Sequence, residues 1–278
     1  MHTNEITHDE FIPRWYGRLG NNIQQISNGI FYCRENGIHF TSPEQPMIKR
    51  IDIFFGDNQY KIPAGSNNWF YHFEPEYSDF TTDIEKLNRD RKYICENYIL
   101  KNIKVNQNNL NDPLPYQTCV AHIRAGDVYS HSTHPAYAQN PFMFYMEVYR
   151  QFNGNVIFVS EDATNPIAYA LKQHGINVNV LSLEQTYELL LRAQNIATSG
   201  VGTFAISAAF CSRNIKRLYC TNLYLKNTLN PEMLKEHLEV NMMDVDGNKY
   251  IRVGEWRYTQ ESVDKVINYS EDISFRRL

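Results

Sequence analysis

The chain has 278 residues, with 27 Lys+Arg against 31 Asp+Glu and a formal net charge of −4 at pH 7. At 42% hydrophobic and 21% charged residues it has the make-up of a folded globular protein, long enough for one large domain or two of ordinary size, which excludes a disordered tail, a collagenous rod and a disulfide scaffold. No basic cluster exceeds the pairs Lys216-Arg217 and Arg276-Arg277, so nothing grips a phosphate backbone and no nucleic-acid partner is expected.

In chain order, Phe11-Ile12-Pro13-Arg14-Trp15-Tyr16 reads as a short apolar strand and 17–22 as its turn. A helix follows with Ile23, Ile26, Ile30 and Phe31 on one face, ending before Gly37. Residues 48–55 predict a strand, and 81–103 a helix capped by Thr81 or Thr82. The stretch 106–116 (NQNNLNDPLPY), polar with two prolines, reads as a linker.

Beyond it the pattern is regular. Strands over 119–123, 156–160, 178–181, 195–199 and 217–220 alternate with helices over 144–152, 166–174, 183–193 and 203–211. Near-continuous apolar strands between helices predict a parallel, helix-covered sheet. The expected fold class is α/β, two Rossmann-like domains spanning 1–112 and 113–278, with room for the last helix to pack back on the first.

Five cysteines (Cys33, Cys95, Cys119, Cys211 and Cys220) without a C-x-x-C read as buried reduced thiols of a cytosolic protein. The polar start MHTNEITHDE does not read as a signal peptide, and no apolar run approaches the ~18 residues of a membrane span. A cytoplasmic protein with no transmembrane segment is expected.

Ligands of such sheets bind where the strands end. In Ala121-His122-Ile123-Arg124-Ala125-Gly126-Asp127, strand alternation puts His122 and Arg124 on one side, and Gly126 permits a sharp exit. Arg124 then offers a fork of donors suited to a phosphate; equally, an Arg–Asp pair would close a structural turn. Ser199-Gly200-Val201-Gly202-Thr203-Phe204-Ala205 has the form G-x-G-x-x-A before a helix. A nicotinamide or flavin site would need an acid about 20 residues on, and 219–225 (YCTNLYL) has none. A phosphate cradle, or a glycine turn capped by Thr203, are the accounts left.

Gly17-Arg18-Leu19-Gly20-Asn21-Asn22 lacks the lysine of a P-loop, and an ordinary strand–helix turn is its simplest account. His122, Asp127, His131 and His134 follow no common ligand spacing, and Asp244-Val245-Asp246 reads as part of an Asp-Gly hairpin, so no metal site is expected. G-x-S-x-G and H-E-x-x-H motifs are absent.

Taken together, GRLGNN at the first turn and HIRAGD at the start of the second half resemble the fucosyltransferase superfamily of GT-B glycosyltransferases, which includes α-1,2-fucosyltransferases and protein O-fucosyltransferases. The resemblance extends through VIFVSED and IATSGVGTFAISAAF, about two-thirds of the chain. It departs at Asn22, where Gln is commoner, and at Ala125, where some relatives carry a second basic residue. The resemblance implies inverting, metal-independent transfer of a sugar, L-fucose from GDP-fucose, to a glycan acceptor, with no cofactor beyond the nucleotide-sugar donor. It implies catalytic roles for Arg124 and Asn21. The base that takes the acceptor proton is unassigned, with Asp127, counted among the catalytic residues, and His134 as candidates. Donor contacts would come from Arg18, Gly20, His122, Ser160, Glu161, Asp162, Gly200, Gly202, Thr203 and Phe204. A UDP-sugar transferase of the same fold and a non-catalytic nucleotide- or glycan-binding module are the alternatives.

Overall fold

The computed structural model describes residues 11–12, 15–58, 83–271 and 274–278. The expectations for Pro13, Arg14, Thr81 and Thr82 lie outside them. The chain divides into two compact units: unit 1 comprises 1–104 with 227–229, and unit 2 comprises 105–226 with 230–278.

In unit 1, helix α1 (Leu19–Asn36) ends at Gly37, whose φ of +62° lets its N–H turn back to the Cys33 carbonyl. Strands β1 (Phe40–Ser42) and β2 (Ile51–Ile53) pair antiparallel. The strand expected over 48–55 keeps only those three residues of β2, because Ile48 is taken by bridges to Gln45 and Ile103. Helix α2 (Ile84–Ile94) is capped by Asp83, whose carboxylate accepts from the Lys86 N–H. The helix expected to run on to 103 widens instead into a π turn over Cys95–Ile99, then tightens into a 3₁₀ turn over Leu100–Asn102. That change of winding keeps Cys95, Ile99 and Leu100 all buried.

Unit 2 is a seven-stranded sheet built from β3 (Cys119–Ile123), β4 (Val156–Ser160), β5 (Val178–Val180), β6 (Asn195–Ala197), β7 (Arg217–Thr221), β8 (Glu239–Met243) and β9 (Phe275–Arg277). Its strand order is β5-β4-β3-β6-β7-β8-β9. All neighbours are parallel except β8 and β9. The helices are α3 (Phe142–Gln151), α4 (Pro166–Gln173), α5 (Leu183–Arg192), α6 (Phe204–Cys211) and α7 (Gln260–Asn268). The fold class is therefore α/β with a large, mostly parallel sheet. Val120, Ala121, Phe158, Ile196 and Leu218 are fully buried in it, each large apolar side chain contributing about 1.5–3 kcal/mol relative to exposure.

The path of the chain through this sheet locates its crevice. From β3 the chain moves outward through β4 to β5, then returns to lay β6 on the other side of β3. The carboxyl ends of β3 and β6 thus flank the topological switch point, where a crevice opens in doubly wound sheets.

Three local expectations are corrected. Residues 106–116 do not run free as a linker. Their 3₁₀ turn, Gln107–Asn111, is tied to α5 by Glu188, which accepts from Asn106 N (3.2 Å) and Asn109 Nδ2 (2.6 Å), and Arg192 binds Asp112. Residues 246–247 form no hairpin, since β8 takes β9 as its antiparallel partner. Asp246 instead stops a turn, its carboxylate accepting from Asn248 N at 2.9 Å. The last helix, α7, buries Val266 and packs on α3 and α4 of its own unit. All five cysteines are buried free thiols. No described helix is long and apolar enough to cross a membrane.

Candidate functional site

At the switch point, Arg124 leaves the end of β3 with its side chain 16% exposed. Its Nη1 donates to the Val201 carbonyl at 3.1 Å, and its Nη2 faces both carboxylate oxygens of Asp127 at 3.3 and 3.4 Å. The backbone under it is fixed as well, because Asn165 Nδ2 donates to the Arg124 carbonyl at 2.6 Å. Asn165 is also the cap of α4, its Oδ1 accepting from Ile167 N.

Two glycines make this approach possible. Gly200 has φ +83°, and a Cβ there would lie 2.6 Å from the Ala138 carbonyl oxygen, because Gln139 bridges to Gly200 across that turn. Gly126 has φ +66°, and a Cβ there would meet the Glu161 carboxylate at 2.1 Å. At Gly200 the clash is with backbone and only glycine fits; at Gly126 the positive φ favours glycine, while the Glu161 carboxylate could swing aside. Gly202 lies under Arg124 without strain, where an added Cβ would sit 3.3 Å from Nη1.

His122 is 7% exposed, with Nδ1 at 3.1 Å from Ser199 Oγ and its ring 5.0 Å from that of Phe204. Burial, seconded by the Arg124 charge, pushes its pKa down to about 3. The imidazole is therefore neutral at physiological pH, a hydrogen-bonding group and not a cation. Thr203 sits at the N-cap of α6 but makes no side-chain cap bond, so the expectation of a threonine cap is corrected. Helix geometry leaves the first-turn N–H groups of α6 without intrahelical acceptors.

At the end of β4, the Ser160 hydroxyl is buried with no hydrogen-bond partner. Glu161 leans over Gly126, and Asp162 turns back to accept from Thr164 N at 2.7 Å. The structure thus gathers His122, Arg124, Asp127, Gly200, Gly202, Thr203 and Phe204 into one cluster, with Glu161 against its rim. Sequence reasoning did not single out Asn165, Ser199 as the His122 partner, or Tyr137, whose ring centroid lies 4.0 Å from Arg124 Cζ. The Asn165-Pro166 pair, a cap followed by a first-turn proline, was the one readable signal among them.

In unit 1, Arg18 is exposed at the N-cap of α1 and Gly20 is buried in the first turn. Asn21 folds its amide over Gly17, which at φ +68° could carry no Cβ without meeting it at 2.1 Å. Asn22 Nδ2 donates to the Tyr16 carbonyl at 3.0 Å, and Gln25 Oε1 accepts from Tyr16 N at 2.9 Å, so the helix holds its own entry turn.

The histidines do not converge. His134 Nδ1 accepts from Ala136 N at 3.1 Å, while His131 lies beside Tyr258. Asp244 pairs with Arg276. Among the described residues no group of three or more His, Cys, Asp or Glu is placed to hold a metal ion.

No protein-family model matches the chain, and no curated protein sequence matches it. Among solved structures it is similar to POFUT1, crystallised in complex with GDP. The two are 13% identical with a TM-score of 0.39, over 74% of this chain and 95% of that one.

Proposed function

We propose that the chain is a glycosyltransferase that moves a sugar, L-fucose from GDP-fucose, onto a glycan acceptor with inversion and without a metal. The observation that carries the reading is the Arg124 guanidinium at the switch point, touching the Val201 carbonyl within the 199–203 glycine turn.

Breaking the bond between sugar and diphosphate builds negative charge on the departing phosphate oxygens and positive charge on the sugar ring. Donors already aimed at that negative charge stabilise the transition state more than the ground state, which is often the largest catalytic term. Arg124 supplies a half-buried cation with five N–H donors, of which its protein partners occupy only some. The start of α6 adds first-turn N–H groups and the positive end of a helix. Neutral His122 and Phe204 line the same side and would face the sugar or nucleoside.

Asp127 is assigned to orient Arg124, since its carboxylate already lies against that guanidinium. His134 is the remaining candidate for taking the acceptor proton, through Nδ1, whose lone pair the Ala136 N–H holds and would have to release. Glu161 and Asp162 are assigned to the nucleoside side and Ser160 to the floor beneath them. For Arg18, Gly20 and Asn21 the assignment to donor and reacting oxygen rests on the GRLGNN motif alone. With Asp244 held by Arg276 and Asp246 committed to a turn, the D-x-D pair has other work, and activity should survive EDTA.

A thermal-shift panel of GDP, UDP, CMP, their sugars and candidate glycans tests the reading. Stabilisation by GDP alone, with slow hydrolysis of GDP-fucose, is expected. A shift with UDP alone would replace the donor. A shift with glycans alone would make the chain a binding module, and activity lost to EDTA and restored by Mn²⁺ would remove the metal-free mechanism.

A further inference from the structure

A guanidinium on a flexible stem must be held still before it can meet a phosphate at low entropic cost. Arg124 is held on three sides: by the Val201 carbonyl, by the Asp127 carboxylate, and by the face of Tyr137 at 4.0 Å. The first two are contacts along the guanidinium edge. The ring face is the contact over its flat side.

Tyr137 is itself clamped by its neighbours. Upstream, the Pro135 carbonyl accepts from Gly254 N at 3.1 Å and Trp256 N at 3.0 Å. Downstream, Val201 N donates to the Ala138 carbonyl at 3.0 Å, and the buried Tyr250 hydroxyl donates to the Gln139 carbonyl at 2.8 Å. A fully buried Trp256 also donates Nε1 to the Val128 carbonyl at 2.9 Å. The segment 250–256 therefore braces the loop that carries Tyr137, and the loop in turn is laced to the glycine turn that Arg124 touches.

We propose that Tyr137 is a positioning residue for diphosphate recognition: its ring sets the plane of the Arg124 guanidinium so that the remaining N–H edge faces a diphosphate. This rests on the transferase reading above. The ring face attracts the cation by its quadrupole, an effect that strengthens with the partial burial of Arg124.

The experiment measures affinity for GDP and for GMP by calorimetry, in the wild type, Tyr137→Leu, Tyr137→Phe and Arg124→Ala. The ratio of the two affinities isolates the contribution of the second phosphate, which a general loss of packing would not move. Tyr137→Leu is expected to cut the preference for GDP about tenfold, the size of a partly desolvated cation–π contact. Tyr137→Phe, which keeps the ring, should recover most of that loss. If the leucine variant does not fold, Tyr137→Met replaces it. An unchanged preference in Tyr137→Leu or Tyr137→Met, with the preference lost in Arg124→Ala, overturns the positioning role and leaves the transferase reading standing. A wild type that binds GDP no better than GMP overturns both.

Discussion

In unit 2 the middle of the sheet packs Val120, Ala121, Phe158, Ile196 and Leu218, side chains with no polar atom to satisfy, and its buried polar side chains, His122, Ser160, Asn195 and Thr221, stand at or next to strand ends. In unit 1 the central helix α1 buries Asn22, Gln24, Gln25, Ser27 and Asn28 beside its isoleucines. Those amides serve the chain around them: Asn22 and Gln25 hold Tyr16, while Gln24 donates to the Asn227 carbonyl at 3.3 Å and accepts from Leu229 N at 2.8 Å. Arg91, 4% exposed, reaches Ser27 Oγ and Asn28 Oδ1 from α2. Regular strands satisfy their own backbone, so their side chains are left to pack. Where the backbone is irregular, side chains must supply the missing donors and acceptors.

The contrast can be broken by substitution. Phe158→Ala, in the middle of β4, should cost unit 2 about 3–5 kcal/mol by leaving a cavity that parallel strands cannot collapse into. Hydrogen exchange resolved by unit should show the loss concentrated in 105–226 and 230–278, and protection unchanged there would mean the apolar layer is not what holds the sheet. Arg124→Ala should lower turnover about 10²-fold or more at saturating donor, by comparison with the loss of one oxyanion donor. A purified, folded variant with near-native turnover would remove Arg124 from the chemistry.

Gln24→Ala is the counterpart in unit 1. It removes the acceptor of Leu229 N and should cost about 1–3 kcal/mol, read as a lower midpoint in urea at constant m-value. A loss below a few tenths would show that unit 1 does not depend on its buried amides. The last effect is a slope. His122 titrates near 3 in the folded protein and near 6.5 when unfolded. Its contribution to stability is intact above pH 6.5. As pH falls from there toward 3, the unfolded chain takes a proton that the folded one refuses, so stability drops by up to about 1.4 kcal/mol per pH unit. Urea melts of His122→Asn over that window should give a shallower slope than the wild type.

The same contrast decides how much was legible in the sequence. Buried parallel strands are uninterrupted apolar runs, so β3, β4, β6 and β7 stand out without any knowledge of their neighbours. The outer strands β8 (EVNMM) and β9 (FRR) were missed because polar and charged residues interrupt them at the sheet margin. In α2 the apolar spacing ran on to Ile103, and nothing in it signals the π turn at Cys95. At the site, Arg124 and the 199–203 turn were readable because strand ends and glycines mark themselves. Tyr137 was not, since its place depends on how a long loop is threaded and on a segment more than 110 residues further along the chain.

Gln24 also bears on how the molecule is made. Its two backbone partners lie 203 and 205 residues downstream, so on a ribosome α1 emerges long before the carbonyl and the N–H that its amide requires. At about 5–20 residues per second that interval is on the order of ten seconds or more. Until residues 227–229 arrive, the Gln24 amide is served by water in place of those two partners. A fragment severed after Lys104 would lack them throughout.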